Sequence, residues 1–199
     1  MSTAAILEPV ESPPAERLLT IADVAALPSD LPSGAVRYEL DDGRLIIMAP
    51  AGDFHGMSEL RIAAELLNQG ERRGHGVARC GEVGVILGRG PDKLVGADAL
   101  FICNARLPIK TSPEGYLETI PDLVAEVRSK NDRPAAVTRK VARYLAAGVR
   151  LVWVLDPEPK TVTAHRPGQT PRVFAASEML TADDVIPGFS TPVADLFHG

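Results

Sequence analysis

The stretch PDLVAEVRSK, residues 121–130, decides the fold. Its middle, from Leu123 to Val127, is apolar and rich in β-formers, which is typical of a strand buried on both faces of a sheet. Glu126 interrupts this strand, and an ionised carboxylate in such a place is costly unless a cation neutralises it. Strand geometry places Glu126 and Arg128 on one face, about 7 Å apart along the strand. An acid and a base at this position predict a functional site.

The residues after this strand predict a helix and then a second buried strand. Asn131 or Asp132 is expected to cap a helix that has Pro134 in its first turn and runs to Ala147. Val149 to Asp156 is the next apolar strand. Because the connection is strand–helix–strand, the two strands are expected to be parallel, with a right-handed crossover. Helical spacing predicts that the inward stripe of this helix is formed by Val137, Val141 and Tyr144. Lys140 lies on the flank of that stripe.

The residues before the central strand predict a hairpin, a long helix and two further strands, one within Val77 to Leu87 and one over Leu94 to Ile102. Alternating apolar residues over Val36 to Met48, with a turn at Asp42-Gly43, are typical of a β-hairpin. Asp53 is expected to cap a helix through about Arg73. The strand from Leu94 to Ile102 contains a second in-strand acid, Asp98. By helical spacing, the helix residues expected to face the sheet are Met57, Leu60, Ala64 and Leu67.

Length and composition bound the class of protein. A chain of 199 residues is expected to form one domain, over residues 18–199, after a mobile arm rich in Pro, Glu and Ala over residues 1–17. The net charge of −5 argues against a basic nucleic-acid coat but leaves room for a local basic patch. No apolar run is long enough to span a bilayer, and the N-terminus lacks the features of a signal peptide, so we expect a cytoplasmic protein. Cys80 and Cys103 are expected to be buried thiols in a reducing compartment.

Asp98 and Glu126 are the pair of residues that points to chemistry. Two carboxylates inside apolar strands are the hard oxygen ligands that Mg2+ or Mn2+ prefers. Such an ion generates a nucleophilic water and neutralises phosphate charge, and a nearby Lys or Arg stabilises the charge that develops. This pattern predicts a hydrolase that cuts phosphodiester bonds.

The chain resembles the PD-(D/E)xK restriction-endonuclease-like superfamily, and within it the small stand-alone bacterial "putative restriction endonuclease" proteins. The resemblance spans roughly Tyr38 to Arg166. It is carried by YELDDGRL (38–45), His55, ADALF (97–101), PDLVAEVRS (121–129), Lys140 to Tyr144, AGV (147–149) and WVLDP (153–157). It implies an α/β fold with a central mixed β-sheet flanked by helices, a Mg2+- or Mn2+-dependent endonuclease, DNA as the partner and a homodimer.

The resemblance also implies roles for individual residues. Asp98 and Glu126 correspond to the metal-binding carboxylates. Position 128 corresponds to the lysine of the motif but holds arginine, which keeps its proton and so can clamp phosphate without acting as a base. Lys140 on the following helix is then the substitute. Glu39 resembles an additional acid near the metal, and His55 a further site residue; the usual proline before the first Asp is replaced by Ala97.

Other interpretations of the same residues remain open. Glu126 could pair with Arg128 or Lys140 in a purely structural ion network, and Lys140 could lie along the helix flank. Glu39 could belong to the solvated face of the hairpin, and His55 could be a hydrogen-bonding residue at the start of its helix. Arginine at position 128 and the acidic charge balance also fit a catalytically weak or inactive nuclease-fold protein that acts as a binding or regulatory module.

Overall fold

A computed structural model describes residues 17–32, 34–48, 50–130 and 132–198. The predicted N-terminal arm therefore lies outside the described residues except for Arg17. The strands are β1 Asp30–Leu31, β2 Gly34–Ala35, β3 Arg37–Asp41, β4 Arg44–Met48, β5 Gly76–Gly88, β6 Lys93–Cys103, β7 Leu123–Val127, β8 Leu151–Asp156, β9 Thr161–His165, β10 Arg172–Phe174, β11 Met179–Thr181 and β12 Ser190–Pro192. The α-helices are α1 Ile21–Ala25, α2 Asp53–Glu65 and α3 Pro134–Ala146, and a π-helical segment, Leu66–Glu71, continues α2.

One mixed sheet of eight strands organises the domain. Its order is β10-β9-β8-β7-β6-β3-β4, and β5 pairs with β6. β7 and β8 are parallel, with Leu123 opposite Leu151 and Val127 opposite Leu155, as the strand–helix–strand connection predicts. The other neighbouring strands of this sheet are antiparallel. The predicted α/β fold with a central mixed sheet is confirmed.

Helices cover both faces of this sheet. One apolar core packs Ile62 and Leu66 of the long helix, together with the C-terminal residues, against Phe101, Leu123 and Trp153. The opposite core packs α3 through Val141 and Tyr144 against the sheet. Because β7 has a core on each side, its side chains are almost entirely removed from water, which is the condition that makes an acid on it costly.

The hairpin and the α3 stripe agree with the sequence, whereas the α3 cap differs. β3 and β4 pair around Asp42-Gly43, both of which have positive φ (52° and 75°), as a tight hairpin turn requires. The residue that caps α3 is Arg133, and Pro134 occupies the first turn. The Asp132 carboxylate instead accepts the Ser129 N–H (2.8 Å), which closes the turn before the helix. Asn131 lies outside the described residues.

The face of α2 that packs on the sheet is not the one that the apolar spacing predicted. Leu60 is 69% exposed and Leu67 is also exposed, whereas His55, Ser58, Ile62, Ala63 and Leu66 are buried. The inward stripe begins with two polar residues, and the first of them, His55, lines a cavity that also contains charged side chains. The spacing of apolar residues therefore predicted the wrong stripe, because Leu60 and Leu67 face outward and Met57 and Ala64 are only half-buried.

The cysteine prediction was wrong for Cys80. Cys80 is exposed and Cys103 is half-buried, and both are free thiols. Cys80 lies on β5, whose outer edge pairs with no other strand of the sheet among the described residues. Burial and the nearby Asp122 carboxylate raise the pKa of the Cys103 thiol to about 11, so this thiol is unreactive.

Candidate metal and phosphodiester site

The site forms where two strands separate along one edge of β6. β3 pairs with β6 at Leu94, and β7 pairs with β6 from Ala99 onward. Residues 95–98 lie between these two contacts. The β6–β7 register pairs Ala99 with Ala125, so one further step brings Asp98 opposite Glu126. The two acids singled out in the sequence therefore meet at the mouth of an opening between strands.

Gly96 connects the acids through its backbone. Its N–H donates to Glu39 Oε1 (3.0 Å), and its carbonyl accepts from Lys140 Nζ (2.8 Å). These backbone groups face the opening, where strand pairing is interrupted, so side chains replace the missing strand partner. A Cβ at position 96 would lie 3.0 Å from Glu82 Oε2, so any larger residue here would require the Glu82 side chain to shift.

Glu126 is held by Lys140 and Tyr144. Lys140 Nζ lies 2.7 Å from Glu126 Oε2 and 3.0 Å from Glu39 Oε1, and the Tyr144 hydroxyl donates to Glu126 Oε1 at 2.6 Å. Lys140 and Tyr144 are four residues apart on α3, so they project from one face of the helix. Glu39 also lies 3.8 Å from Arg143. Of the open alternatives, the cation beside Glu126 is therefore Lys140, and Glu39 is 4% exposed rather than solvated.

The pKa values of Glu126 and Lys140 are both raised, for different physical reasons. Burial raises the pKa of Glu126 to about 8, although Lys140 opposes the shift, and Asp98 adds to it. Burial lowers the pKa of Lys140, but the charges of Glu126 and Glu39 outweigh it and raise that pKa above the usual range. Lys140 therefore keeps its proton at neutral pH and acts as a fixed cation. Glu126 sits in an environment that favours a further positive charge.

Asp98 has a different set of partners. Its Oδ2 accepts the Val127 N–H at 2.6 Å and lies 3.2 Å from His55 Nε2. His55 Nδ1 lies 3.9 Å from Glu59 Oε2. Burial lowers the pKa of His55, but the hydrogen bond and charge of Asp98 outweigh it, and the net shift is upward.

Arg128 lies at the site without contacting Glu126. Its guanidinium pairs with Asp156, at the end of the neighbouring strand β8. β7 ends at Val127, and the Arg128 N–H donates to the Leu155 carbonyl, which directs the residue along β8. Glu126 and Arg128 both line the cavity, but Arg128 lies beyond the end of β7 and its ion-pair partner is Asp156.

One cavity of about 160 Å³ is lined by the site residues that the sequence predicts. The six site residues predicted from the sequence all line it: Glu39, His55, Asp98, Glu126, Arg128 and Lys140. Their catalytic roles remain predictions.

Several residues around this cavity were not identified from the sequence. Tyr144 was assigned to the core, which it also joins, but its hydroxyl binds Glu126. Glu82 lines the cavity from a β-bulge in β5, where Gly81 and Glu82 both fall opposite Asp98. Glu59 accepts the Gly81 N–H at 2.9 Å. Helical spacing from Lys140 to Tyr144 could have suggested Tyr144, whereas the bulge left no signal in the sequence.

The donors around the cavity fit a divalent metal ion. One ligand atom from each of His55, Glu59 and Asp98 lies within 4.8 Å of the others, so a possible metal site exists. Glu39, Glu82, Asp98 and Glu126 supply carboxylate oxygens to the cavity, and such ligands suit Mg2+ and Mn2+. His55 Nδ1 is buried and lacks a hydrogen-bond partner in the described part of the chain, which leaves a ligand atom available.

Comparison with known proteins identifies the family. The model of the family "Uma2: Putative restriction endonuclease" matches residues 23–194. The chain belongs to this family. Membership in the putative restriction endonuclease family confirms the resemblance derived from the sequence motifs and indicates a nuclease. Comparison with curated proteins gives no significant match.

A solved structure supports the nuclease-like fold of this family member. The crystal structure described as "a putative nuclease belonging to DUF820" from Anabaena variabilis aligns with a TM-score of 0.72 and 19% sequence identity. The alignment covers 90% of this chain and 97% of that chain. At this identity the likeness establishes the fold. In addition, no helix in the described ranges is both long enough and apolar enough to cross a membrane.

Proposed function

We propose that this protein is a Mg2+- or Mn2+-dependent endodeoxyribonuclease in which Asp98 and Glu126 hold the ion. The observation that carries the proposal is the strand register, which brings these two acids opposite each other at the opening between β3 and β7. When bound, the ion supplies a nucleophilic water at neutral pH and neutralises charge on the phosphate.

The other side chains prepare this site for a phosphodiester. Lys140 remains protonated between Glu126 and Glu39, so it offers a positive charge to the phosphate rather than a base. Glu39 fixes Lys140, and Tyr144 orients the Glu126 carboxylate. His55 orients Asp98 in the same way, through its Nε2. Arg128, at the cavity wall, is suited to clamp a neighbouring phosphate.

Exposed cations in the loop next to the cavity support DNA as the partner. Lys130 and Arg133 are exposed in the loop that follows Arg128, and this loop leads directly to α3. Ser129 and Asp132 of the same loop line the cavity. Lys130 and Arg133 are thus sequence neighbours of cavity-lining residues although the chain as a whole carries a charge of −5, which fits a polyanion that approaches from this side.

The direct test is cleavage of supercoiled plasmid DNA by the full-length protein. We expect nicked and linear products with Mg2+ or Mn2+ and none with excess EDTA. If neither metal supports cleavage and Mn2+ releases no heat in titration calorimetry, with or without DNA, the endonuclease proposal is wrong. That result would favour the alternative of a nuclease-fold binding or regulatory module.

We also propose that the protein is a cytoplasmic homodimer. Two-fold symmetry presents two cavities to the two strands of a duplex. The outward stripe of α2, which includes the exposed Leu60 and Leu67, together with the exposed Phe54 offers an apolar surface for the second copy. Free Cys80 and Cys103 fit a reducing compartment. Light scattering should give twice the mass of one chain, and a Leu60→Glu variant should give half that value; a wild-type mass of one chain would refute the dimer.

A further inference from the structure

The gap between His55 and Glu59 has the dimensions and the chemistry of an additional cation site. His55 Nδ1 and Glu59 Oε2 face each other across 3.9 Å. That distance is too long for a hydrogen bond. It is suited to two ligands of one ion, because donors at about 2.1 Å from a metal lie roughly 3 to 4 Å apart.

The unsatisfied nitrogen is the second observation that points to a ligand. The His55 side chain is 9% exposed, and its Nδ1 finds no hydrogen-bond partner among the residues that the structure describes. His55 Nε2 lies against Asp98 Oδ2, so a neutral imidazole that donates there presents the Nδ1 lone pair toward the Glu59 carboxylate. His55 Nδ1 and Glu59 Oε2 are both electron-rich and largely removed from water, so a positive charge between them is stabilising.

The surrounding backbone holds this geometry in place. Glu59 Oε1 accepts the Gly81 N–H, which leaves Glu59 Oε2 for the gap. Gly81 belongs to the β-bulge opposite Asp98, and the next residue, Glu82, has φ +58°. A non-glycine residue in that conformation is strained, and such strain is concentrated at functional sites. The bulge therefore both anchors Glu59 and brings a further acid, Glu82, to the cavity wall.

We propose that His55 Nδ1 and Glu59 Oε2 are the ligands of a second cation site beside the Asp98–Glu126 pair, with Asp98 orienting His55 through Nε2, and that this site binds Mn2+ or another ion that accepts nitrogen ligands in preference to Mg2+. Imidazole suits transition metals, whereas Mg2+ selects oxygen ligands. The inference rests on the proposed function only through Asp98, which orients His55 and is a proposed ligand of the first ion. The protein would then hold two ions, as many phosphodiester-cleaving centres do.

The test counts bound Mn2+ by the loss of the free-ion electron paramagnetic resonance signal during titration of the full-length protein. We expect two ions per chain for the wild type and one for Glu59→Gln, which keeps an oxygen for the Gly81 N–H but removes the charge. Glu65→Gln, on the same helix and outside the cavity, is the matched control and should bind two. Excess Mg2+ should displace the Mn2+ ion at the Asp98–Glu126 pair and leave the Mn2+ ion at His55 and Glu59. Circular dichroism establishes that each variant is folded.

A second measurement on the wild type does not depend on any variant. The electron spin echo of Mn2+ bound at the proposed second site should be modulated by an imidazole nitrogen, and His55→Gln should abolish this modulation. Absence of the modulation, or equal stoichiometry in wild type and Glu59→Gln, would overturn the second site. Glu126→Gln separates the two proposals: if it loses no ion, the Asp98–Glu126 pair fails, while a retained nitrogen signal still supports the site at His55.

Discussion

Glu126→Gln is expected to reduce metal-dependent DNA cleavage by at least about 10²-fold, a loss of the size seen when one group that stabilises the transition state is removed. Gln preserves the size of the side chain and an oxygen that can accept from the Tyr144 hydroxyl. It removes the negative charge that the ion requires. The measurement is the rate of plasmid nicking at saturating Mn2+.

The control for this variant is Glu118→Gln. Glu118 is an acid that pairs with Arg89 on the surface, outside the cavity. The Glu118→Gln variant should cleave DNA at the wild-type rate, because an exposed ion pair contributes little to stability. Equal rates for Glu126→Gln and the wild type would remove Glu126 from the chemistry and leave it as a structural partner of Lys140.

Lys140→Met is expected to have the second large effect, on both stability and cleavage. The substitution leaves Glu126 and Glu39 without the ammonium that contacts both. Breaking a buried ion pair from one side costs about 3–5 kcal/mol, so the thermal midpoint in EDTA should fall clearly. Mn2+ should restore much of the stability by supplying positive charge, whereas cleavage should remain reduced by about 10²-fold.

The matched control is Arg139→Met, which removes a cation from the neighbouring position on α3. Arg139 is exposed and lies outside the cavity that holds Glu126, so both its stability and its cleavage rate should remain near wild type. If Lys140→Met cleaves normally with Mn2+, Lys140 is a structural counter-ion. Arg128→Lys, introduced together with Lys140→Met, should fail to restore cleavage because position 128 is directed to Asp156 rather than to Glu126.

The strands and their acids could be predicted from the sequence because burial leaves a direct mark on composition. An apolar strand with one carboxylate is visible at Asp98 and at Glu126 without any knowledge of the partner strands. The parallel pairing of β7 and β8 followed from the length of the connection between them. The position of Lys140 one turn before Tyr144 followed from helical spacing, and the structure places both beside Glu126.

The parts that could not be predicted depend on long-range register. The inward face of α2 begins with two polar residues, His55 at the cavity and the buried Ser58, so the hydrophobic pattern identified a different face. Glu82 enters the site through a single extra residue in β5, and Glu59 is fixed by the backbone of that bulge. Neither contact is encoded in local spacing, because each depends on where β5 lies against β6.

The central claim is that Asp98 and Glu126 share a divalent ion, and a crystal soaked in Mn2+ and measured at the manganese absorption edge tests it most directly. The account predicts an anomalous peak within coordination distance of a carboxylate oxygen from each residue, with Lys140 displaced from its contact with Glu126 Oε2. A crystal with Mn2+ in the solvent but no peak between these two acids, and with Glu126 still bonded to Lys140, would contradict it.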